Sequence, residues 1–471
     1  MIATRMERQK ALAGKDLKGR RVLVVGLARS GLAACRVLQG AGAIVKATDK
    51  RFPEEIGGLS DLERIGVEVE AGGHSMDFAR DCDLVVVSPG VPLDIDIVAW
   101  ARNADRPVIG EVELAYCLCD AKFAAVTGTN GKTTTVTLLG EIMRRHTDKV
   151  KVGGNIGDPI SELAAGLGSD WLLVIEISSF QLDTCVSFSP AVAALLNITP
   201  DHLDRYESYE AYVRSKAGLF SNQIEEDFAI INADDEESVR ASRDARSQKL
   251  FFSVKREVDQ GAFLRGESVV VRVGKKETTL FATGDLKIRG PHNLANSLAA
   301  SLAATVLGAG PVTIREAVIE FRGLEHRIEF VAEIGGVDFV NDSKATNVDS
   351  LRWALETAAR PVILIAGGRD KGGDFSQVMG LVEQKVKAIV AIGEAKEKLR
   401  STFQDRVEFL EAGDLEGALR LSAGLASAGD TVLLSPGCAS YDMFKDFEHR
   451  GRVFKAVVAR LKQEREGSRH G

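Results

Sequence analysis

The stretch Val126-Thr127-Gly128-Thr129-Asn130-Gly131-Lys132-Thr133-Thr134 decides how this chain is read. Before it, Phe123-Ala124-Ala125-Val126 has the character of a short buried strand. After it, Val136, Leu138, Leu139, Ile142 and Met143 are spaced as on a helix packed against a sheet, from Thr133 to Arg145. A strand, a tight glycine turn and a helix start make a place to hold a phosphate. Glycine lets the backbone approach the anion, the first helical N–H groups point at it, and the helix dipole favours its charge. Lys132 is expected to reach the outer phosphates and the Thr133 hydroxyl to coordinate Mg²⁺. The strict phosphate-loop pattern has glycine where this chain has Val126. The order strand, turn, helix still favours a phosphate site over a chance Gly-Lys-Thr, and ATP is the expected ligand.

Working outward, 471 residues of 45% hydrophobic content should form about three globular domains. A net charge of −7 gives no electrostatic footprint for nucleic acid. Any anionic substrate must therefore be held by local lysines, arginines and loop amides. Met1 to Lys18 is charged and lacks the apolar core of a signal peptide, and no run is long enough to cross a bilayer. Cys117 and Cys119 form a lone C-x-C without a partner pair, so buried reduced thiols are expected rather than zinc. A cytoplasmic protein without membrane insertion is the expectation.

Arg21 to Val25 reads as a buried strand, followed by Gly26-Leu27-Ala28-Arg29-Ser30-Gly31, a helix Leu32 to Leu38, and a strand Val45 to Asp49. This is close to a dinucleotide fingerprint, with Asp49 at about the distance of a ribose-binding carboxylate. Ala28 replaces its middle glycine where a pyrophosphate would come closest, which counts against NAD and an oxidoreductase. Leu84 to Val87 is another strand, entering a loop at Ser88. Residues 1–110 are expected to form a Rossmann-like nucleotide-binding domain.

Residues 111–323 are expected to form a central P-loop-type α/β ATPase domain. Its strand Leu172 to Glu176 delivers a carboxylate to the carboxyl edge of the sheet, suited to a second Mg²⁺ ligand beside Thr133. Ala191 to Asn197 leads into a loop with His202 among carboxylates, where a histidine is more often structural. Lys216 follows in a helix Tyr209 to Phe220 and reads, on composition alone, as exposed. After a β-rich segment, Lys249 to Ile288, Asn293 and Asn296 share the face of a helix start, suited either to capping or to bonding a base. In a C-terminal Rossmann-like domain, residues 324–471, three buried strands end in polar loops: Ser343 to Asn347, Gly367 to Gly373 and Ser435 to Asp442. Three such loops on one parallel sheet make a binding edge.

Taken together, TGTNGKTT, EISSFQL, NITPDHLDRY, GPHNLANSLAA, EHRIE, NDSKATN, GGRDKGG and SPGCASYDMF resemble the Mur ligases, in family order from about Val22 to Phe454. NDSKATN and SPGCAS point to the D-glutamate-adding branch. The resemblance implies three α/β domains, ATP bound between the central and C-terminal ones, and UDP-N-acetylmuramoyl-L-alanine and D-glutamate as substrates. A carboxylate would attack the γ-phosphate of ATP, and the D-glutamate amine would displace phosphate from the resulting acyl phosphate. It assigns catalysis to Lys132, Glu176, His202 and Lys216, with one Mg²⁺ at Thr133 and Glu176 and another near His202 and a carbamylated Lys216. ATP would be held by Gly128, Thr129, Asn130, Gly131, Lys132, Thr133, Thr134, Asn293, Asn296, Arg327 and Asp342. The uridine diphosphate end would take Arg29, Ser30, Asp49, Lys50, Arg51 and Ser88, with Asn155 and His202 near the muramoyl group. D-Glutamate would take Lys344, Thr346, Lys371, Ser440 and Phe447, although Tyr441 departs from the expected aliphatic residue. A monomer is expected. A sister ligase adding another amino acid and a non-catalytic nucleotide-binding protein are the alternatives.

Overall fold

A computed structural model describes residues 17–155, 157–201, 205–288, 290–358 and 361–467. Three sheets organise it, and their central strands are near-continuous apolar runs, as expected of parallel strands covered on both faces.

The first sheet holds β1 (Arg21–Val25), β2 (Ile44–Asp49), β3 (Glu68–Ala71), β4 (Leu84–Val87) and β5 (Val108–Gly110) in the order β3-β2-β1-β4-β5. All its pairings are parallel. Strand order reverses beside β1, which opens a crevice at the carboxyl ends of β1, β2 and β4. Ala28 is the residue before the helix Arg29–Gly40 and has φ −76°, so its methyl group imposes no strain. Gly31 matters more. A Cβ there would lie 1.8 Å from the Gly26 carbonyl oxygen, so only glycine lets this helix sit so close to β1.

The second sheet holds β6 (Lys122–Thr127), β7 (Val150–Gly154), β8 (Leu172–Glu176), β9 (Val192–Leu195), β10 (Phe228–Asn232), β11 (Gln248–Ser253), β12 (Gly261–Arg265), β13 (Ser268–Val273) and β14 (Lys276–Ala282). Their order is β14-β13-β12-β11-β10-β9-β6-β8-β7. From β7 to β12 the sheet is parallel, and β12, β13 and β14 form an antiparallel meander. That meander accounts for the β-rich segment of the sequence. The strand β6 and the helix Lys132–His146 flank the glycine turn as expected.

These two sheets, together with Glu210–Asp285 and Ala295–Glu320, belong to one compact unit. The helix Glu111–Cys117 joins them, and every one of its residues is buried. The Glu113 carboxylate accepts the backbone N–H groups of Val186, Ser187 and Phe188, each at 2.9 Å, and the Ser187 hydroxyl. Glu111 accepts Ser161 N and Oγ at 3.1 and 2.9 Å.

A second unit comprises Thr199–Tyr209, Leu286–Leu294 and the chain from Phe321 onward. Its sheet holds β15 (Glu329–Ile334), β16 (Val337–Asn341), β17 (Val362–Gly367), β18 (Val386–Ile392), β19 (Glu408–Glu411) and β20 (Thr431–Leu434), in the order β15-β16-β20-β17-β18-β19. Only the β15–β16 hairpin is antiparallel. Among the described residues no helix is long and apolar enough to cross a membrane, and all six cysteines are free, with Cys117 and Cys119 buried.

Candidate active site

The loop after β6 takes its shape from the neighbouring strand. Thr129 N donates to Asn197 O at 2.9 Å and Asn130 N to Asn197 Oδ1 at 2.8 Å, while Asn197 Nδ2 returns a bond to Asn130 O at 3.0 Å. Gly128 has φ 150° and Gly131 φ 88°, so both turns need glycine. A Cβ on Gly131 would lie 2.3 Å from Asn296 Oδ1. Asn296 is buried, and its Nδ2 has no acceptor among the described residues.

Two lysines meet this loop. Lys132 Nζ donates to Gly128 O and Thr129 O, both at 2.8 Å, and Lys216 Nζ donates to the same Gly128 O at 3.0 Å. Lys216 is 2% exposed, which corrects the composition-based expectation of a solvent-exposed lysine. Its ammonium lies 4.6 Å from the centre of the Tyr212 ring, and Tyr212 OH is 3.0 Å from Thr129 Oγ1. Two amino groups from different elements thus converge on one carbonyl oxygen.

Glu176, at the end of β8, is 3% exposed. It accepts Thr133 Oγ1 at 2.7 Å and Asn155 Nδ2 at 3.1 Å. A buried carboxylate against a hydroxyl is a hard oxygen set of the kind that, with phosphate oxygens and water, suits Mg²⁺. His202 lies outside the described residues.

In the first sheet's crevice, Asp49 is held by four donors. Its Oδ2 accepts Leu27 N at 2.6 Å and Arg51 Nη2 at 2.8 Å. Its Oδ1 accepts Arg51 N at 2.9 Å and Arg51 Nε at 3.0 Å. Burial alone would raise the Asp49 carboxyl, but these bonds outweigh it and hold it at about 2. Ser88 Oγ donates to Gly26 O at 2.7 Å, and Arg29 Nη2 donates to Gly157 O at 2.7 Å. Ser30 opens the same helix as Arg29, and Lys50 separates Asp49 from Arg51.

In the second unit, Asp342 follows β16 and is buried, accepting Ser435 Oγ at 2.9 Å and Ile328 N at 3.2 Å. Burial pushes its carboxyl up to about 7 against the Ser435 bond and the Arg327 charge. His292, the residue before the buried Asn293, is driven down to about 3 by burial and by Arg327, and so stays neutral. Lys344 Nζ lies 5.1 Å from the Phe447 ring centre, which brings together two of the residues expected to hold the amino acid. Ser440 is buried, Thr346 and Lys371 are half-buried, and Tyr441 is exposed.

Sequence reasoning missed three organisers. Asn197 and Tyr212 shape the phosphate loop. Arg450, 1% exposed, ties two loops of the second unit: it donates to Ser343 Oγ at 3.0 Å and Ser343 O at 2.8 Å, and to Cys438 O at 3.2 Å. Among these, only Asn197 carried a usable signal, a polar residue closing an apolar strand.

Family models match the chain along its length: "Mur ligase MurD-like, N-terminal domain" at residues 20–110, "Mur ligase middle domain" at 126–304 and "Mur ligase, glutamate ligase domain" at 326–438. The UDP-N-acetylmuramoylalanine–D-glutamate ligase of Acidobacterium capsulatum is 46% identical, over 94% of this chain and 97% of its own length. The protein of the same name from Koribacter versatilis is 44% identical over 95% and 99%. Among solved structures, a pseudomurein peptide ligase type C from Methanothermus fervidus has a TM-score of 0.60 at 17% identity, over 94% of this chain and all of its own. The UDP-N-acetylmuramate-alanine ligase MurC of Thermotoga maritima has a TM-score of 0.59 at 20% identity, over 94% and 99%. Those structural likenesses show the three-domain α/β fold, and the curated relatives show the family. This chain belongs to the Mur ligase family.

Proposed function

We propose that the protein joins UDP-N-acetylmuramoyl-L-alanine to D-glutamate, with ATP converted to ADP and phosphate, as a cytoplasmic monomer in peptidoglycan precursor synthesis. The observation that carries this reading is the 46% identity to a ligase of that name over nearly the whole chain. Residues 1–110 hold the uridine diphosphate end, 111–323 the ATP phosphates, and 324–471 the amino acid.

The chemistry requires two anions to meet. A substrate carboxylate oxygen attacks the γ-phosphorus, the bond to ADP breaks, and an acyl phosphate forms. The amine of D-glutamate then adds to the acyl carbon, and the tetrahedral intermediate expels phosphate as the nitrogen loses its proton. Lys132 supplies fixed positive charge at the phosphate loop, where its Nζ already lies against Gly128 O and Thr129 O. The buried Asn296 amide, with a donor to spare, offers a polar contact for ATP. Thr133 and Glu176 would hold one Mg²⁺, and carbamylated Lys216 with His202 a second, and such ions supply neutralisation of phosphate charge. Carbamylation makes Lys216 an anion, which turns its repulsion with Lys132 into attraction. In the second unit, Lys344, Thr346, Lys371, Ser440 and Phe447 take D-glutamate, whose free carboxylates suit the two lysines.

A phosphate-release assay with UDP-N-acetylmuramoyl-L-alanine, ATP, Mg²⁺ and a panel of amino acids tests the reading. Only D-glutamate should support release. Release with L-alanine or a diamino acid instead would reassign the enzyme to a sister ligase.

A further inference from the structure

An aromatic ring stands in the open beside the crevice of the first sheet. Phe52 is 64% exposed, although a side chain of its size gains much from burial. Single exposed hydrophobics need no explanation in general, but this one is rigidly mounted. Pro53 follows it and restricts its backbone, which is extended at φ −71° and ψ 157°. Phe52 N donates to Glu55 Oε2 at 2.9 Å, and Glu55 N donates back to Phe52 O at 3.0 Å. The ring rests against Gly72, where an added Cβ would lie 3.2 Å from Phe52 Cδ1. Gly72 has φ 83°, so glycine is required there twice over. The loops carrying the ring and the glycine are tied by bonds from Gly72 N to Arg51 O at 2.8 Å and from Gly73 N to Asp49 O at 3.2 Å.

Two of the crevice's polar side chains, Asp49 and Ser88, are committed. A carboxylate accepts about four hydrogen bonds, and Asp49 already has them from Leu27 and Arg51. The Ser88 hydroxyl hydrogen is given to Gly26 O. A ligand in this crevice therefore needs a grip that does not depend on new bonds to Asp49. A flat apolar surface at the carboxyl edge of β2, backed by glycine and open on its other side, provides one.

We propose that Phe52 is the stacking platform for the planar base of a nucleoside diphosphate bound in this crevice. The inference rests on reading the crevice as the uridine diphosphate end and adds the residue that grips the base. Asp49 then acts as a positioning residue that sets the Leu27 amide and Arg51.

Calorimetric titration of the full-length protein with UDP, and separately with ATP, tests this in wild type, Phe52→Ala and Phe52→Trp. Removing the ring should weaken UDP by roughly 5- to 150-fold, the range of a lost base–aromatic stack. Phe52→Trp should stay within about threefold of wild type and show indole quenching on UDP addition, because any aromatic face can stack. ATP affinity should be the same in all three. Equal UDP affinity in wild type and Phe52→Ala, an equal loss in Phe52→Trp, or a matching loss of ATP affinity would overturn the stack and leave the ligase reading intact. Wild-type protein that binds ATP but no UDP would overturn the crevice assignment and the stack together.

Discussion

Replacing Asp342 by asparagine removes a carboxyl that burial holds at about 7, against an ordinary value of 3.8. That difference of about 3 units corresponds to about 4 kcal/mol between the protonated and ionised folded forms. The sign follows from which state loses its proton first. Well below pH 3.8 the carboxyl is neutral in both folded and unfolded chains, and its burial carries no charge penalty. As pH rises from about 4 to 7, the unfolded chain ionises while the folded one resists, so stability falls, and above 7 the full penalty is in place. Asparagine never ionises. The substitution weakens one of the bonds from Ser435 Oγ or Ile328 N, an offset of about 1 kcal/mol at every pH. Relative to wild type, Asp342→Asn should therefore be about equally stable at pH 4.5 and stabilised by about 3 kcal/mol at pH 8. Urea unfolding read from Trp353, in a background with Trp100 and Trp171 replaced by phenylalanine, follows the helix Val348–Thr357 of the same unit. With a urea slope of about 2 kcal/mol/M, the midpoint difference should change by about 1–2 M between those pH values. A difference that stays flat across pH would refute the argument.

Other substitutions test the remaining parts of the site. Glu176→Gln keeps the shape beside Thr133 but removes the charge, and should lower kcat about 10²- to 10³-fold with little change in thermal midpoint; kcat within threefold of wild type would rule out a charge role. Lys216→Ala should abolish turnover, with acetate or formate restoring part of it. Full activity without either anion would exclude a metal-ligand role for Lys216. Arg450→Lys keeps one positive charge but loses the planar fork that spans Ser343 and Cys438. It should raise KM for D-glutamate about tenfold or more while KM for ATP stays near wild type, and an equal rise in both would point to general loosening.

Much of the architecture is legible because it rests on local patterns. Buried apolar runs ending in glycine or polar loops mark β1, β6, β8, β17 and β20; β1, β8 and β20 end where the pattern says, and β6 and β17 one residue later. The pairing of Thr133 with Glu176 is also legible, since strand ends on one parallel sheet meet at one edge. Lys216 is not: a lysine in a helix of weak amphipathicity reads as exposed, and only the tertiary packing over Tyr212 makes it buried. Arg450 fails for a related reason, because it bonds backbone carbonyls and a hydroxyl brought from far along the chain, and carbonyls leave no mark in a sequence. Asp49 shows a subtler gap. Its spacing after the glycine turn is a nucleotide-binding signal, but the structure fills its oxygens with Leu27 and Arg51.

The central claim is that the substrate carboxylate attacks ATP. UDP-N-acetylmuramoyl-L-alanine labelled with ¹⁸O in its terminal carboxylate, incubated with the protein, ATP, Mg²⁺ and D-glutamate, tests it directly. One labelled oxygen should appear in each inorganic phosphate released. Amide product accompanied by unlabelled phosphate would contradict the acyl-phosphate route.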